Sequence, residues 1–172
     1  MTQWWDWIGQ FMARGGPLLW VLAAVVLISW VLMMERVLFL TRRFPAQSAQ
    51  WQAQWQARAE RTSWYAEACR EGILGRAERA LNANLNFIKA LVAICPMLGL
   101  LGTVTGMISV FDVMAAQGTG NPKLMSAGIA MATLPTMAGM VAALAGLFVH
   151  ARLQKYSQRA LHGLANALPR EN

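Results

Sequence analysis

Three long stretches of the chain are apolar and almost free of charge, and an arginine-rich stretch separates the first from the second. The first runs from Pro17 to Met34, PLLWVLAAVVLISWVLMM. As a helix it would be roughly 27 Å long at about 1.5 Å per residue. The second, Ala90 to Phe111, is ALVAICPMLGLLGTVTGMISVF, bounded by Lys89 and Asp112. It would make roughly 33 Å of helix. The third runs from Leu124 to His150, with no formal charge until Arg152. Each is long enough to span a bilayer core, where only a helix or a closed barrel satisfies its own backbone groups. Between the first two spans the period is again helical. Trp51/Trp55 and Leu74/Ala77/Leu81/Leu85/Ile88 recur on one face. This predicts an aqueous helical region over 41–88, interrupted near Gly72 and Gly75, whose second stripe runs directly into the next span. Trp4, Trp7, Ile8 and Phe11 predict a short interfacial helix over residues 2–12. Residues 112–123, DVMAAQGTGNPK, read as a turn-rich connection.

Composition agrees with the pattern. Hydrophobic residues make up 56% of the 172 and charged residues 13%, about half the usual charged share. A chain this short cannot hide so much apolar surface in one soluble core. Disordered, disulfide-stapled and collagen-like chains are excluded as well. A cleaved signal peptide fits poorly, because Asp6 and a lone Arg14 precede the first run and no A-x-A site ends it.

The net charge of +7 is unevenly placed. Thirteen of the 15 Lys and Arg residues follow the first or the third span, and only Arg14 and Lys123 fall on the other side. Such asymmetry sets orientation, with the basic side facing the cytoplasm. It predicts an outside N-terminus, with residues 41–88 and the C-terminus inside. Glu35 and Arg36 are expected at the inner interface, with the arginine snorkelling outward.

Candidate chemistry is sparse. Cys69, Cys95, His150 and His162 have no metal-ligand spacing, and no metal or cofactor is expected. There is no nucleophile–base pair, and Gly99-Leu100-Leu101-Gly102-Thr103 lacks the lysine of a phosphate loop. An enzyme is not expected. The basic residues between 42 and 79 suit phospholipid headgroups or an acidic partner better than nucleic acid.

Spans two and three do not read as simple anchors. Gly99, Gly102 and Gly106 recur in one, and Gly128, Ala132, Thr136, Gly139, Ala142, Ala143 and Gly146 in the other. Small residues at this spacing let helices approach closely in lipid. Three spans enclose a pathway poorly, so a homo-oligomer is expected. The hydroxyls of Thr103, Thr105, Ser109, Ser126, Thr133 and Thr136 have two readings. They bond back to carbonyls one turn earlier, or Thr103 and Thr136 line a polar path for an ion or a partner helix. Pro96 and Pro135 each free a carbonyl and are expected to kink their helices, with or without a functional role. No carboxylate lies at mid-span; Asp112 and Glu35 sit at the edges. If protons cross this protein, a partner must bring the titrating group.

Cys95-Pro96-Met97-Leu98-Gly99-Leu100-Leu101-Gly102-Thr103-Val104 resembles the A-P-x-x-G-L-x-G-T-V segment of the ExbB/TolQ/MotA family of proton-channel motor subunits, with cysteine for alanine. Gly106 and Phe111 continue the match, and Gly128-Ile129-Ala130, Thr136, Gly139, Ala142 and Ala143 fit the third-span pattern without a gap. The resemblance covers roughly residues 17–160 and is greatest to the ExbB branch.

It implies an all-α integral membrane protein, a pentamer in the bacterial inner membrane around a central pore. The pore would hold the single-span helices of an ExbD-like dimer. Thr103 and Thr136 would face the aspartate those helices supply, with Gly99, Gly102, Gly106, Gly139 and Ala142 packing the wall. The motion would pass to a TonB-like protein and drive uptake of iron-siderophore, haem or vitamin. On this reading residues 1–16 are a periplasmic interfacial helix, and 17–40, 89–112 and 124–150 are transmembrane. Residues 41–88 and 151–172 are cytoplasmic, 113–123 form a periplasmic loop, and spans two and three extend into cytoplasmic helices.

Met131 stands where the family carries a third-span glutamate. Pro135 replaces a small residue, and Leu144-Ala145-Gly146 replaces I-P-A. These departures resemble a divergent ExbB branch whose TonB systems contain an extra ExbB-like partner. A TolQ-like role and a non-conducting scaffold or self-assembled channel are the alternatives. A flagellar stator subunit is disfavoured by three spans and a loop of about 48 residues.

Overall fold

The computed structural model describes residues 9, 16–58, 63–117 and 122–169, and these are helical almost throughout. The interfacial helix read from Trp4, Trp7, Ile8 and Phe11 lies outside the described residues. Helix α1 is Gly16–Leu38. A π-helical turn, Phe39–Arg43, joins it to α2, Phe44–Gln56. Helix α3 is Trp64–Asn82, α4 is Leu85–Gln117 and α5 is Pro122–Ala167. Three helical stretches are long and apolar enough to cross a membrane: Gly16–Gln56, Trp64–Ala116 and Met125–Ala167. Their most apolar windows are only 22–28% buried, so most of that surface needs lipid or another chain to cover it.

The chain forms two compact units, one within 1–30 and 89–147 and the other within 31–88 and 148–172. In the first, Leu19 and Leu22 of α1, Val92 and Cys95 of α4, and Ala132 and Ala143 of α5 are buried. Trp20, Leu27, Met97, Val141 and Leu144 are exposed.

The second unit is built on the stripe of α3, with Ile73 buried in place of the expected Leu74, which is half-buried. Ile73, Ala77 and Leu81, with Leu85 and Ile88 at the start of α4, are all buried. Phe44, Trp55, Leu153, Leu164 and Leu168 are buried in the same unit. Ser63 starts α3 as an N-cap in extended conformation, its hydroxyl accepting from the Tyr65 N–H at 3.2 Å. Arg70 closes the end of α5, donating from Nε to the Leu168 carbonyl at 2.8 Å and from Nη2 to the Ala165 carbonyl at 3.2 Å. A guanidinium there satisfies orphan carbonyls and opposes the negative end of the helix dipole.

Three expectations about helix boundaries change. Gly72 and Gly75 do not interrupt α3. Their carbonyls accept from the Nε of Arg76 and Arg79 at 3.3 and 3.1 Å, one turn on. The break comes after Asn82, where the Ala83 N–H still reaches the Arg79 carbonyl and Asn84 adopts a left-handed φ of 63° before α4 begins. The long helix entering the second span is therefore two helices in series. The connection read over 112–123 is helical at both ends, since α4 runs to Gln117 and α5 starts at Pro122.

The π turn carries no sequence signature of its own. Its wider ring is seen in the Phe44 N–H, which donates to the Phe39 carbonyl five residues back. Pro45 follows directly and has no N–H for the Thr41 carbonyl four residues before it. A register shift at this point relieves that mismatch.

Candidate pore wall

The small residues of α4 and α5 form one antiparallel seam. A Cβ placed on Gly139 would lie 2.6 Å from the Cys95 carbonyl oxygen and 3.3 Å from the Gly99 Cα. One on Gly99 would lie 2.9 Å from both the Pro135 carbonyl oxygen and the Thr136 Cα. On Gly102 it would lie 2.5 Å from the Pro135 Cβ, and on Gly106 2.7 Å from the Ala132 Cβ. Gly128 meets Val110 and Gly146 meets Val92. Residue numbers rise along α4 as they fall along α5, from Val92/Gly146 to Val110/Gly128. The helices approach this closely because one side of each of these contacts is a glycine, and the gain is dispersion and polar contact.

The structure separates the two threonines singled out in the sequence. Thr136 Oγ1 donates across the seam to the Gly99 carbonyl at 3.0 Å. Thr103 Oγ1 donates within its own helix to the Leu100 carbonyl at 2.7 Å. Thr105, Ser109 and Thr133 also bond back along their helices, at 2.9 to 3.1 Å. Back-bonding thus accounts for these four hydroxyls, and Thr136 departs from it.

Several expected roles shift. Pro96 and Pro135 both lie inside continuing helices. The Pro135 ring is buried and fills the space Gly102 leaves open. Ala142 is half-buried, whereas Ala143 is buried at 5% exposure. Ala143 shares the helix face of Gly139 and Gly146, four residues before and three after it. The backbone of Met131 is part of α5, but its side chain lies outside the described residues. Asp112 is exposed and is the lone carboxylate in the sequences of α4 and α5.

In the unit holding 31–88 and 148–172, two buried polar side chains were not legible in the sequence. Arg36 does not snorkel outward. Its Nη1 donates to the Ala80 carbonyl at 3.1 Å, its guanidinium lies 5.2 Å from the Phe39 ring centroid, and Glu35 is 3.8 Å away. His150 Nε2 lies 3.1 Å from the Leu85 carbonyl, so this nitrogen carries the proton. Both groups reach carbonyls flanking the Asn84 break: Ala80 lies in the last turn of α3, where a helix end leaves acceptors without partners, and Leu85 is the first residue of α4. The Asn82-Ala83-Asn84 stop was the available signal; the identity of the donors was not.

Three apolar helical stretches of this length, two of them contributing to a glycine-lined seam, define a multi-pass helical membrane protein. Residues 41–166 match the MotA/TolQ/ExbB proton channel family, and the chain belongs to that family. Its likeness within the family is to ExbB. Over 88 residues it is 32% identical to the biopolymer transport protein exbB1 of Vibrio cholerae, a match covering 51% of this chain and 39% of that protein.

Proposed function

We propose that the chain is an ExbB-like subunit of an inner-membrane motor that uses the proton motive force. It assembles as a homo-oligomer, a pentamer by family resemblance, around an ExbD-like single-span partner. The partner's motion is passed to a TonB-like protein and energises uptake across the outer membrane. The observation that carries this reading is Thr136 bonded across a seam that holds no mid-span carboxylate. A polar wall without its own titrating group suits a carboxyl supplied from outside.

The hydrogen bonds also say what the wall offers that carboxyl. Thr103 and Thr136 each commit their hydroxyl proton to a main-chain carbonyl, which leaves lone pairs as their free capacity. Such oxygens accept from a protonated carboxylic acid and give nothing to a carboxylate. They therefore favour the neutral, proton-carrying form of the partner's aspartate.

The test is co-expression with the ExbD-like partner in cells that depend on TonB-dependent uptake. Thr136→Val is expected to abolish uptake while the complex still co-purifies. Thr136→Ser, which keeps the hydroxyl, is expected to retain uptake. Normal uptake with valine would remove the threonine from the pathway. Counting subunits of the co-purified complex by native mass spectrometry tests the pentamer.

A further inference from the structure

A groove of about 280 Å3 opens beside the π turn, between the end of α1 and the middle of α5. Leu40 and Leu153, both buried, form its floor, and Val37 and Phe148 stand at its exposed edges. The surface it presents is apolar throughout. Even Thr41 turns its hydroxyl back onto the Val37 and Leu38 carbonyls, at 2.8 and 3.3 Å. Water gains nothing in such a groove, because it would find no polar partners there.

Cations outnumber carboxylates on the elements that line it; the exception, Glu35 of α1, lies 3.8 Å from Arg36. Arg42 and Arg43 lie on the π turn, and Arg152 and Lys155 on α5. Helix α5 has no carboxylate in its 46 residues. Arg152 lines the groove with its aliphatic stem, and its guanidinium sits 5.7 Å from the Phe148 ring centroid. Among the described residues it has no carboxylate partner. The groove also lies where the uncharged run of α1 has ended and basic residues begin, the level at which lipid chains meet their headgroups. A ligand with an apolar chain and a negative head is complementary to it.

We propose that this groove binds an anionic phospholipid, with an acyl chain on Leu40 and Leu153 and the phosphate on the Arg152 guanidinium. The site stands independently of the motor reading, since it uses no residue of the α4/α5 seam.

The experiment uses the full-length protein in detergent, relipidated with phosphatidylglycerol or phosphatidylcholine, and counts retained lipids by native mass spectrometry. Wild type is expected to retain phosphatidylglycerol in preference to phosphatidylcholine. Arg152→Gln is expected to reduce that preference about fivefold, the share of one basic residue near a membrane surface. Val37→Trp places a ring in the groove and is expected to lower retention of both lipids, with the helical circular dichroism of wild type. A photocrosslinking residue in place of the exposed Phe148 is expected to capture lipid. Unchanged preference in Arg152→Gln, unchanged retention in Val37→Trp, or a Phe148 crosslink joining two copies of the chain would overturn the proposal.

Discussion

Gly99 and Gly102 lie one turn apart on α4, yet a methyl group would meet different material at each. At Gly102 the obstacle is the Pro135 ring, a side chain; at Gly99 it is the backbone of Pro135 and Thr136. Neither can yield by rotating, because the proline Cβ is tied to its own backbone through the ring. Gly102→Ala and Gly99→Ala are therefore each expected to cost at least the roughly 1–3 kcal/mol usual for overpacking. Gly99→Ala would also push the Gly99 carbonyl away from Thr136. Detergent-resistance melting should place both variants below wild type, and a wild-type melting point for either would contradict this seam. The spacing of these glycines was legible in the sequence, because small residues three and four apart share a helix face. Which partner each one meets was not, since the pairings join residues well apart in the chain. The Thr136–Gly99 bond, for instance, spans 37 positions.

At the scale of elements, α3 carries two glycines with no packing role. A Cβ at Gly72 or at Gly75 meets nothing within 4 Å, and both lie inside a regular helix. Alanine there gives up no contact and removes the entropic cost of glycine, about 1 kcal/mol per site. Gly72→Ala and Gly75→Ala should each raise the melting temperature; a fall would show that the break near these residues, as the sequence reads, exists after all. The opposite effect is expected at Arg70. Arg70→Ala leaves the Ala165 and Leu168 carbonyls without its two donors, so the last turn of α5 should fray. Faster amide exchange there, with exchange near Gly139 unchanged, is the expected reading. Arg70→Lys should rescue only in part, because an ammonium lacks the planar fork. The existence and class of these helices followed from hydrophobic period alone. Their joints did not: the missing N–H of Pro45 marks a disturbed register but not that a π turn absorbs it, and the Asn84 break is held by donors 44 and 65 positions away from their acceptors.

For the molecule as a whole, charge placement makes the strongest commitment. The three apolar stretches are long enough to cross a bilayer, and the basic residues predict which side each end takes. Thirteen Lys and Arg residues flank one end of the spans and two flank the other. Each resists crossing toward the outer face, so inverting the protein would carry most of its cations to the wrong side. In a background with Cys69 and Cys95 replaced, Thr119→Cys should react with a membrane-impermeant maleimide in right-side-out spheroplasts. Gln50→Cys, at an exposed position of α2, should react only after the membrane is opened. The reverse pattern would turn the molecule over and place the basic segments outside. The motor reading would then fail, since force must be delivered to a TonB-like partner on the outer face while residues 41–88 stay inside. The lipid groove would survive, but its ligand would have to come from the other leaflet.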